Sequence, residues 1–519
     1  MSDLTPGRRL RLTHVARSSL LIAAFFGVDK LLGLFRQIVI GRQFGVSAEL
    51  DVFNAANNLP DLLFALISGG ALSVALIPVL SEALERDGRA NLWALFSRVA
   101  NLAFLITAGL AIVLALFADE LVQAELGVAP GFTAERQTLV AELMRLNLIA
   151  TLIFSLSGLV SAGLQANQHF LLPAAAPVVY DLGQIFGALV LAPATPYQVG
   201  PITVPAFGLG VHGLVYGVIL GAGLHLGVQI PGLLRFGFRW AAKVSWDHPG
   251  VRRVARLLGP RIVTIGAFQL IFVVQDNLAS RLDVGSITGL AYGWLIMQVP
   301  ETMIGTAVGI ALLPTLAEHF ARSDHQGFEI SVARAVRVLI ALTLPATVLL
   351  AIGLPPLVQA AFNFSAEGTN LVVQAGRAFL VGLVGHSLLE IAARAFYARQ
   401  DAKTPLVATA INAVAFVSLG LLLFRSLGSA GIALSNSLAF SLEAVILLAV
   451  LNRTFPRILG QGRTFLRLAL GALAGGAAAV AGGALLPLAG LAAALVSMTI
   501  GGLAVIPFIL PELKELRSL

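Results

Sequence analysis

Apolar segments follow one another from about Ser18 to Leu510 with only short polar breaks between them. Water offers no way to bury that much apolar side chain in one chain of 519 residues, whereas a bilayer accepts it helix by helix. The balance of 57% hydrophobic to 12% charged residues agrees. The expected fold class is an all-α integral membrane protein. At about 20 to 25 residues per crossing plus short loops, the length accommodates roughly twelve to fourteen helices. Cysteine is absent, which excludes disulfides, metal-thiolate sites and cysteine nucleophiles.

The net charge of +7 is distributed as topology demands rather than as a nucleic-acid footprint. Basic residues collect in alternate loops: Arg8 to Arg17, Arg86 to Arg98, Arg235 to Arg261, Arg322 to Arg337, Arg394 to Lys403, and Arg453 to Arg467. The intervening loops, such as Asp119 to Glu135, Pro193 to Pro205 and Pro487 to Gly490, are acidic or uncharged. Both termini and the basic loops are therefore expected in the cytoplasm, with an even number of crossings. Arg8, Arg9, Arg11 and Arg17 before Leu20 to Val28 imitate a secretory signal, but no small-x-small cleavage site follows. The segment is expected to stay as the first helix.

Hydropathy places helices near 18–43, 52–84, 93–118, 138–164, 171–192 and 207–234, then 259–281, 286–317, 335–361, 371–394, 404–425, 430–451, 466–486 and 489–510. The expected organisation is a basic tail (1–17), an N-lobe of six helices (18–234), a basic cytoplasmic inter-lobe loop (235–258), a C-lobe of six helices (259–452), and two further helices with a short cytoplasmic tail (453–519). Trp240 and Trp246 among the cations of that loop suit a phospholipid headgroup layer, although an ordinary loop obeying the topology rule reads the same way.

An internal repeat is visible. VALIPVLSE (Val74 to Glu82) returns as IALLPTLAE (Ile310 to Glu318), and Leu59-Pro60-Asp61 as Val299-Pro300-Glu301. Ala166-Asn167-Gln168 stands seven residues before Pro173, as Ala398-Arg399-Gln400 does before Pro405. Because each half starts from the cytoplasm after an even number of crossings, the repeats are expected to be parallel.

A charge in mid-bilayer costs on the order of 2.5 to 3.5 kcal/mol, so intramembrane charges normally face a cavity or a partner. On the first helix Asp29, Lys30, Gly33, Arg36 and Gln37 fall within an arc of about 120° at 100° per residue. Asp29 and Arg36 are nearly eclipsed, and their pairing would leave Lys30 the less neutralised cation. The stripe is a candidate site, with a packing ion pair as the alternative. The second helix carries Asn54, Asn57, Asn58, Asp61 and Ser68 along one face, interrupted by Pro60 and Pro78. Trp294, Gln298, Glu301, Thr302, Gly305 and Gly309 form the repeat-related stripe, its small residues also suited to close packing. Asp181, Asp276 and Glu390 are isolated acids, and His386 stands one turn from Glu390; each is a cavity residue, a proton carrier or a helix-helix hydrogen bond. Asp276, Asn412 and Glu390 are the candidates for ion coupling. Asp276 and Asn412 offer oxygen ligands for sodium, too few to define a site. No nucleotide-binding loop, nucleophile elbow or His-rich metal motif occurs.

GLFRQIVIGRQFG (Gly33 to Gly45), NNLPDLLFALISGGALSVALIPVLSE (Asn57 to Glu82), SAGLQANQHFLLPAAAP (Ser161 to Pro177), VGIALLPTLAE (Val308 to Glu318) and FYARQDAKTP (Phe396 to Pro405) make nearly the whole chain resemble the MurJ/MviN family of lipid II flippases. Drug exporters of the MATE type and O-antigen flippases belong to the same superfamily. The resemblance implies fourteen helices, cytoplasmic ends, and a cationic cavity that holds the diphosphate and sugar-peptide head of lipid II while the undecaprenyl tail stays in the bilayer. It also implies that Arg36 is the family's first-helix arginine, that Lys30 replaces a second basic residue, and that Asp51 is the aspartate opening the second helix. Three positions depart: Phe64 and Leu295 stand where many members have arginine, and Gln37 where an aspartate often follows Arg36.

The expectation is a flippase, not an enzyme, that moves lipid II across the bacterial cytoplasmic membrane by alternating access. Arg36 and Lys30 would hold the diphosphate, and Asp29 and Asp51 are further candidate substrate-binding residues. Asn57, Asn58, Asp61 and Gln298 would contact sugar or peptide. No cofactor is expected beyond dependence on membrane potential or on Na⁺ or H⁺. The partners would be the lipid substrate, membrane phospholipids and cell-wall synthesis proteins, with no nucleic acid. The alternatives are a flippase for another polyprenyl-diphosphate-linked saccharide, a cation-coupled small-molecule exporter, an inactive scaffold for cell-wall enzymes, and, least favoured, a membrane glycosyltransferase.

Overall fold

A computed structural model describes residues 14–67, 71–486 and 489–515. Helices α1 (His14–Phe44), α2 (Ala48–Ile67), α3 (Ala71–Leu116), α4 (Ala118–Gln123), α5 (Ala134–Ala166) and α6 (Leu171–Phe186) lead into a π-helical segment, Gly187–Leu191. A small hairpin of β1 (Tyr197–Val199) and β2 (Ile202–Val204) precedes α7 (Gly210–Gly227), α8 (Ile230–Arg235), α9 (Pro249–Ser280) and α10 (Ser286–Pro300). A second π-helical segment, Glu301–Thr306, continues into α11 (Ala307–Ala321). The chain ends in α12 (His325–Phe362), α13 (Ala366–Val381), α14 (Leu383–Ala398), α15 (Lys403–Thr454), α16 (Gly462–Leu485) and α17 (Gly490–Glu515).

Among the described residues, nine helices are long and apolar enough to cross a membrane, or ten when the bent pair α13 and α14 counts as one span. The all-α membrane architecture is thus as expected. Its boundaries differ in three places. The second expected helix (52–84) is α2 and the start of α3, and α3 then runs on through the third, broken at Gly88 by φ 80° and ψ 177°. The expected inter-lobe loop ends early because α9 begins at Pro249, so Arg252, Arg253 and Arg256 stand on a helix. Pro193 to Pro205, expected as a plain loop, contains the β-hairpin, whose Tyr197 hydroxyl donates to Leu189 O at 3.0 Å. Arg8, Arg9, Arg11 and Ser68 lie outside the described residues.

The chain divides into two compact units. The first comprises the chain up to Ile40, Pro60–Phe117 and Glu142–Val263; the second comprises Gly41–Leu59, Ala118–Ala141 and the chain from Thr264. The core of the first gathers Leu76, Leu80, Trp93 and Leu164, all buried. The core of the second gathers Leu312, Leu316, Phe328 and Phe396, also buried. Leu76 and Leu312, and Leu80 and Leu316, are the same positions of the repeated VALIPVLSE and IALLPTLAE segments. Each copy of the repeat therefore builds its own core from the same positions.

The backbone repeats too. Gln168 and Gln400, in the repeated Ala-x-Gln segments, both take left-handed conformations, with φ 58° and 59°. In each case the next N–H reaches back five residues, His169 to Leu164 O at 2.9 Å and Asp401 to Phe396 O at 3.0 Å, closing α5 and α14 with the same Schellman motif. Asp401 then accepts from Lys403 N at 3.0 Å, Thr404 N at 3.1 Å and the Thr404 hydroxyl at 2.6 Å, which caps the first turn of α15 and holds its carboxyl below the usual carboxylate range. The Phe396 to Pro405 motif is a helix stop joined to a helix start.

In the second unit, Pro300 closes α10 and the π-helical segment Glu301–Thr306 follows at once. A proline supplies no N–H to the helical ladder, and a shift to wider-spaced bonds accommodates the loss. Glycines let α16 and α17 meet closely: a Cβ on Gly475 would come 2.9 Å from Gly501 O.

Candidate functional site

The polar stripe of α1 lies in the first unit. Arg36 donates from Nη1 to Asp181 Oδ1 on α6 at 2.7 Å, with the two side chains 18% and 5% exposed. Lys30 Nζ lies 3.4 Å from Asp29 Oδ2, and its side chain is 60% exposed. The expected pairing of Asp29 with Arg36 does not form. Seven residues of helix rise about 10 Å, which eclipsed azimuths do not shorten. Asp29 instead serves its neighbour, and Arg36 takes a partner 145 residues away. The Lys30 ammonium also lies 5.1 Å from the centroid of the Phe26 ring.

Asp181 is brought to Arg36 by two features of α6 and α1. A Cβ on Gly33, one turn before Arg36, would stand 3.5 Å from Asp181 Oδ2, so the carboxylate sits over a position without a side chain. On the other side of α6, a Cβ on Gly183 would come within 2.4 Å of Gly221 Cα, so α6 and α7 touch backbone to backbone. Asp61, six residues before the end of α2 and in the same unit, is exposed. Phe64, where related sequences were expected to carry arginine, packs its ring 5.4 Å from Phe154, which meets Tyr180 at 4.9 Å and His225 at 5.4 Å. Phe64 thus belongs to an aromatic cluster.

The remaining candidates lie in the second unit. Asp51, 2% exposed, accepts from Gly285 N at 2.6 Å, Thr288 N at 2.8 Å and the Thr288 hydroxyl at 2.7 Å, and so caps α10 from another helix. Both of its oxygens are engaged. Asn57 donates to Phe53 O of its own helix at 3.0 Å, whereas Asn58 donates to Phe272 O at 3.1 Å and Asp276 Oδ2 at 2.7 Å. Gln298 is exposed, and Leu295 is half-buried.

Asp276 and Asn412, paired in expectation as sodium ligands, have different partners. Asp276 receives Asn58, while Asn412 donates to Glu443 Oε2 at 2.6 Å and Thr409 donates to Glu443 Oε1 at 2.7 Å. Glu390 forms an ion pair with Arg394 one turn along α14. Among the described residues no group of three or more His, Cys, Asp or Glu gathers in a way that could hold a metal ion. From sequence Asp181 stands out only as an isolated acid and Arg394 only as one of a cluster of basic residues, while Glu443 is not singled out; none of these signals names a partner.

The arrangement provides two cations on one helix of a membrane-embedded unit, one tightly paired and one approachable, which is chemistry for engaging an anion. Comparison with known proteins gives the frame for that chemistry. Residues 40–503 match the family profile described as lipid II flippase MurJ. The lipid II flippase MurJ of Burkholderia cenocepacia is 30% identical over 450 residues, 85% of this chain and 84% of that one. The probable lipid II flippase MurJ of Rhizobium tropici is 30% identical over 431 residues, 82% of this chain and 78% of that one. Among solved structures, one of lipid II flippase MurJ in an inward closed conformation superposes with a TM-score of 0.80 at 22% identity, covering 96% of this chain and 99% of that one. An inward-facing multidrug resistance MATE family transporter of the MOP superfamily gives 0.67 at 13% identity, covering 85% and 99%. With a profile match over most of its length and relatives at 30% identity, the chain belongs to the MurJ family of lipid II flippases.

Proposed function

We propose that this protein carries lipid II, a peptidoglycan precursor on an undecaprenyl diphosphate anchor, from the inner to the outer leaflet of the bacterial cytoplasmic membrane by alternating access of two lobes. Family membership supports the substrate, and the Lys30 and Arg36 stripe on α1 is the observation in this chain that carries the mechanism. Lys30, the more exposed cation, meets the diphosphate first, and Arg36 supplies directed charge-assisted hydrogen bonds. Asp29 and Asp51 act as positioning groups, the first through Lys30 and the second by fixing the start of α10. Asn57, Asn58, Asp61 and Gln298 remain the residues assigned to sugar or peptide. Asp276, Asn412 and Glu390 are assigned to any coupling to Na⁺ or H⁺.

Fourteen crossings follow if α1 and α9 span with the ten helical spans, α15 divides at Gly428, and α2 with the start of α3 makes a crossing before Gly88. Both termini then face the cytoplasm, as the loop charges require. A flippase for another polyprenyl-diphosphate-linked saccharide is the second reading. It is favoured by Phe64, whose aromatic packing replaces a cation, and by Leu295.

Complementation tests the proposal. A bacterium whose own lipid II flippase can be shut off should survive on the parent protein and lyse on Arg36→Ala or Lys30→Ala present at equal membrane level. Lysis with well-inserted parent would move the assignment to another lipid-linked substrate. Survival on Arg36→Ala would remove that residue from the site.

A further inference from the structure

Both cations of the α1 stripe already have carboxylate partners: Lys30 has Asp29 and Arg36 has Asp181. These four charges sum to zero, so an arriving anion finds no unmatched positive charge in them. The two pairs differ in kind. Lys30 is 60% exposed and 3.4 Å from its acid, a loose and exposed pair. Arg36 and Asp181 are 18% and 5% exposed and 2.7 Å apart, and inside a membrane-spanning unit such a pair is strongly attractive.

The Arg36 guanidinium is nevertheless only partly used. Its Nε is buried and has no hydrogen-bond partner. Guanidinium recognises phosphate best through a fork of parallel N–H groups, and the Nε edge supplies one such fork. Since Nε is buried, an oxyanion reaches that edge only if the guanidinium turns, and turning breaks the bond from Nη1 to Asp181. The anion therefore replaces the carboxylate instead of adding beside it. Asp181 has room to let go, because its second oxygen lies over Gly33, where no side chain stands.

We propose that Asp181 is an exchangeable counter-ion, which holds Arg36 in the arrangement described here and surrenders it to the diphosphate of the transported lipid. The inference rests on the proposed function, since it needs a diphosphate-bearing cargo. By competing for Arg36, Asp181 weakens binding and speeds release, which a carrier needs more than it needs affinity. Asp181 is thus a positioning residue that acts through Arg36, and its removal should tighten binding.

The test is binding of farnesyl diphosphate, farnesyl monophosphate and farnesol to the purified full-length protein in nanodiscs. Asp181→Asn is expected to bind farnesyl diphosphate about tenfold more tightly than the parent, equivalent to about 1.4 kcal/mol. Farnesol binding should not change, and Arg36→Gln added to Asp181→Asn should abolish the gain. Asp181→Glu, which keeps the charge, should bind as the parent does. Asp181→Ser is measured alongside and should tighten binding as Asn does, so that a folding failure of either variant leaves the other. Unchanged or weaker diphosphate binding in a variant that melts with the parent would overturn the exchange, as would a gain that survives without Arg36. Parent protein that binds farnesol as well as farnesyl diphosphate would instead overturn the diphosphate reading itself, and the exchange with it.

Discussion

Asp51, which sequence assigns to a ligand, has its carboxylate engaged by the start of a helix. It is 2% exposed and accepts three hydrogen bonds, two of them from the N–H groups of Gly285 and Thr288 at the start of α10. Those groups have no partner within the helix. Asp51→Ala would leave buried donors unmatched, each at a cost of about 1 to 3 kcal/mol. The variant is expected to lower the apparent melting temperature of the purified protein, with Asp51→Asn, which keeps an acceptor oxygen, intermediate. A melting temperature unchanged in Asp51→Ala would show that the cap contributes nothing, and would return the carboxylate to direct substrate contact. At this scale the sequence displayed the cations well: azimuth alone put Lys30 and Arg36 on one stripe. It could not show their partners. Asp181 is 145 residues from Arg36, and no local pattern measures such a contact.

At the scale of elements, the junction of α6 and α7 places Asp181. A Cβ on Gly183 would come 2.4 Å from Gly221 Cα and one on Gly221 would come 2.6 Å from Tyr180 O, so the obstacle in both directions is backbone, which no rotamer change relieves. Gly223, on the same α7, meets nothing within 4 Å. Gly183→Ala is therefore expected to force α6 and α7 apart, lowering the melting temperature and shifting Asp181 against Arg36. Gly223→Ala should be neutral or stabilising by about 0.5 to 1 kcal/mol, the helix-propensity gain. Thermal unfolding of both variants decides the matter, and equal effects would contradict the close approach. Helix existence was legible because apolar runs of this length have one solution in a bilayer. The repeat was legible as well, down to Gln168 and Gln400, whose shared backbone turn underlies the shared Ala-x-Gln letters. Hidden from hydropathy were the π-helical segments, the β-hairpin and the early start of α9, because each depends on hydrogen bonding that an apolar average does not register.

For the whole molecule the charge pairing has an electrical consequence. Asp29, Lys30, Arg36 and Asp181 sum to zero, so these four side chains contribute no net charge that the membrane field could push during an access cycle. The charge that moves is then the cargo's. A diphosphate with about two negative charges, at about 2.3 kcal/mol per charge per 100 mV, gains about 4 to 5 kcal/mol on moving outward under an inside-negative potential of about 100 mV. Exchange at Arg36 leaves the sum of these four side chains at zero, because the released carboxylate stays on its helix, and the bound diphosphate adds its own negative charge until the cargo leaves. Proteoliposomes with an imposed potassium diffusion potential provide the measurement. Outward transfer of a labelled prenyl-diphosphate saccharide should accelerate when the interior is made negative and slow when valinomycin and equal potassium collapse the potential. A rate indifferent to potential would mean that a cation crosses with the lipid. Asp276, Asn412 and Glu390, the residues assigned to coupling, would then be the first positions to replace, together with Glu443, which accepts from Asn412.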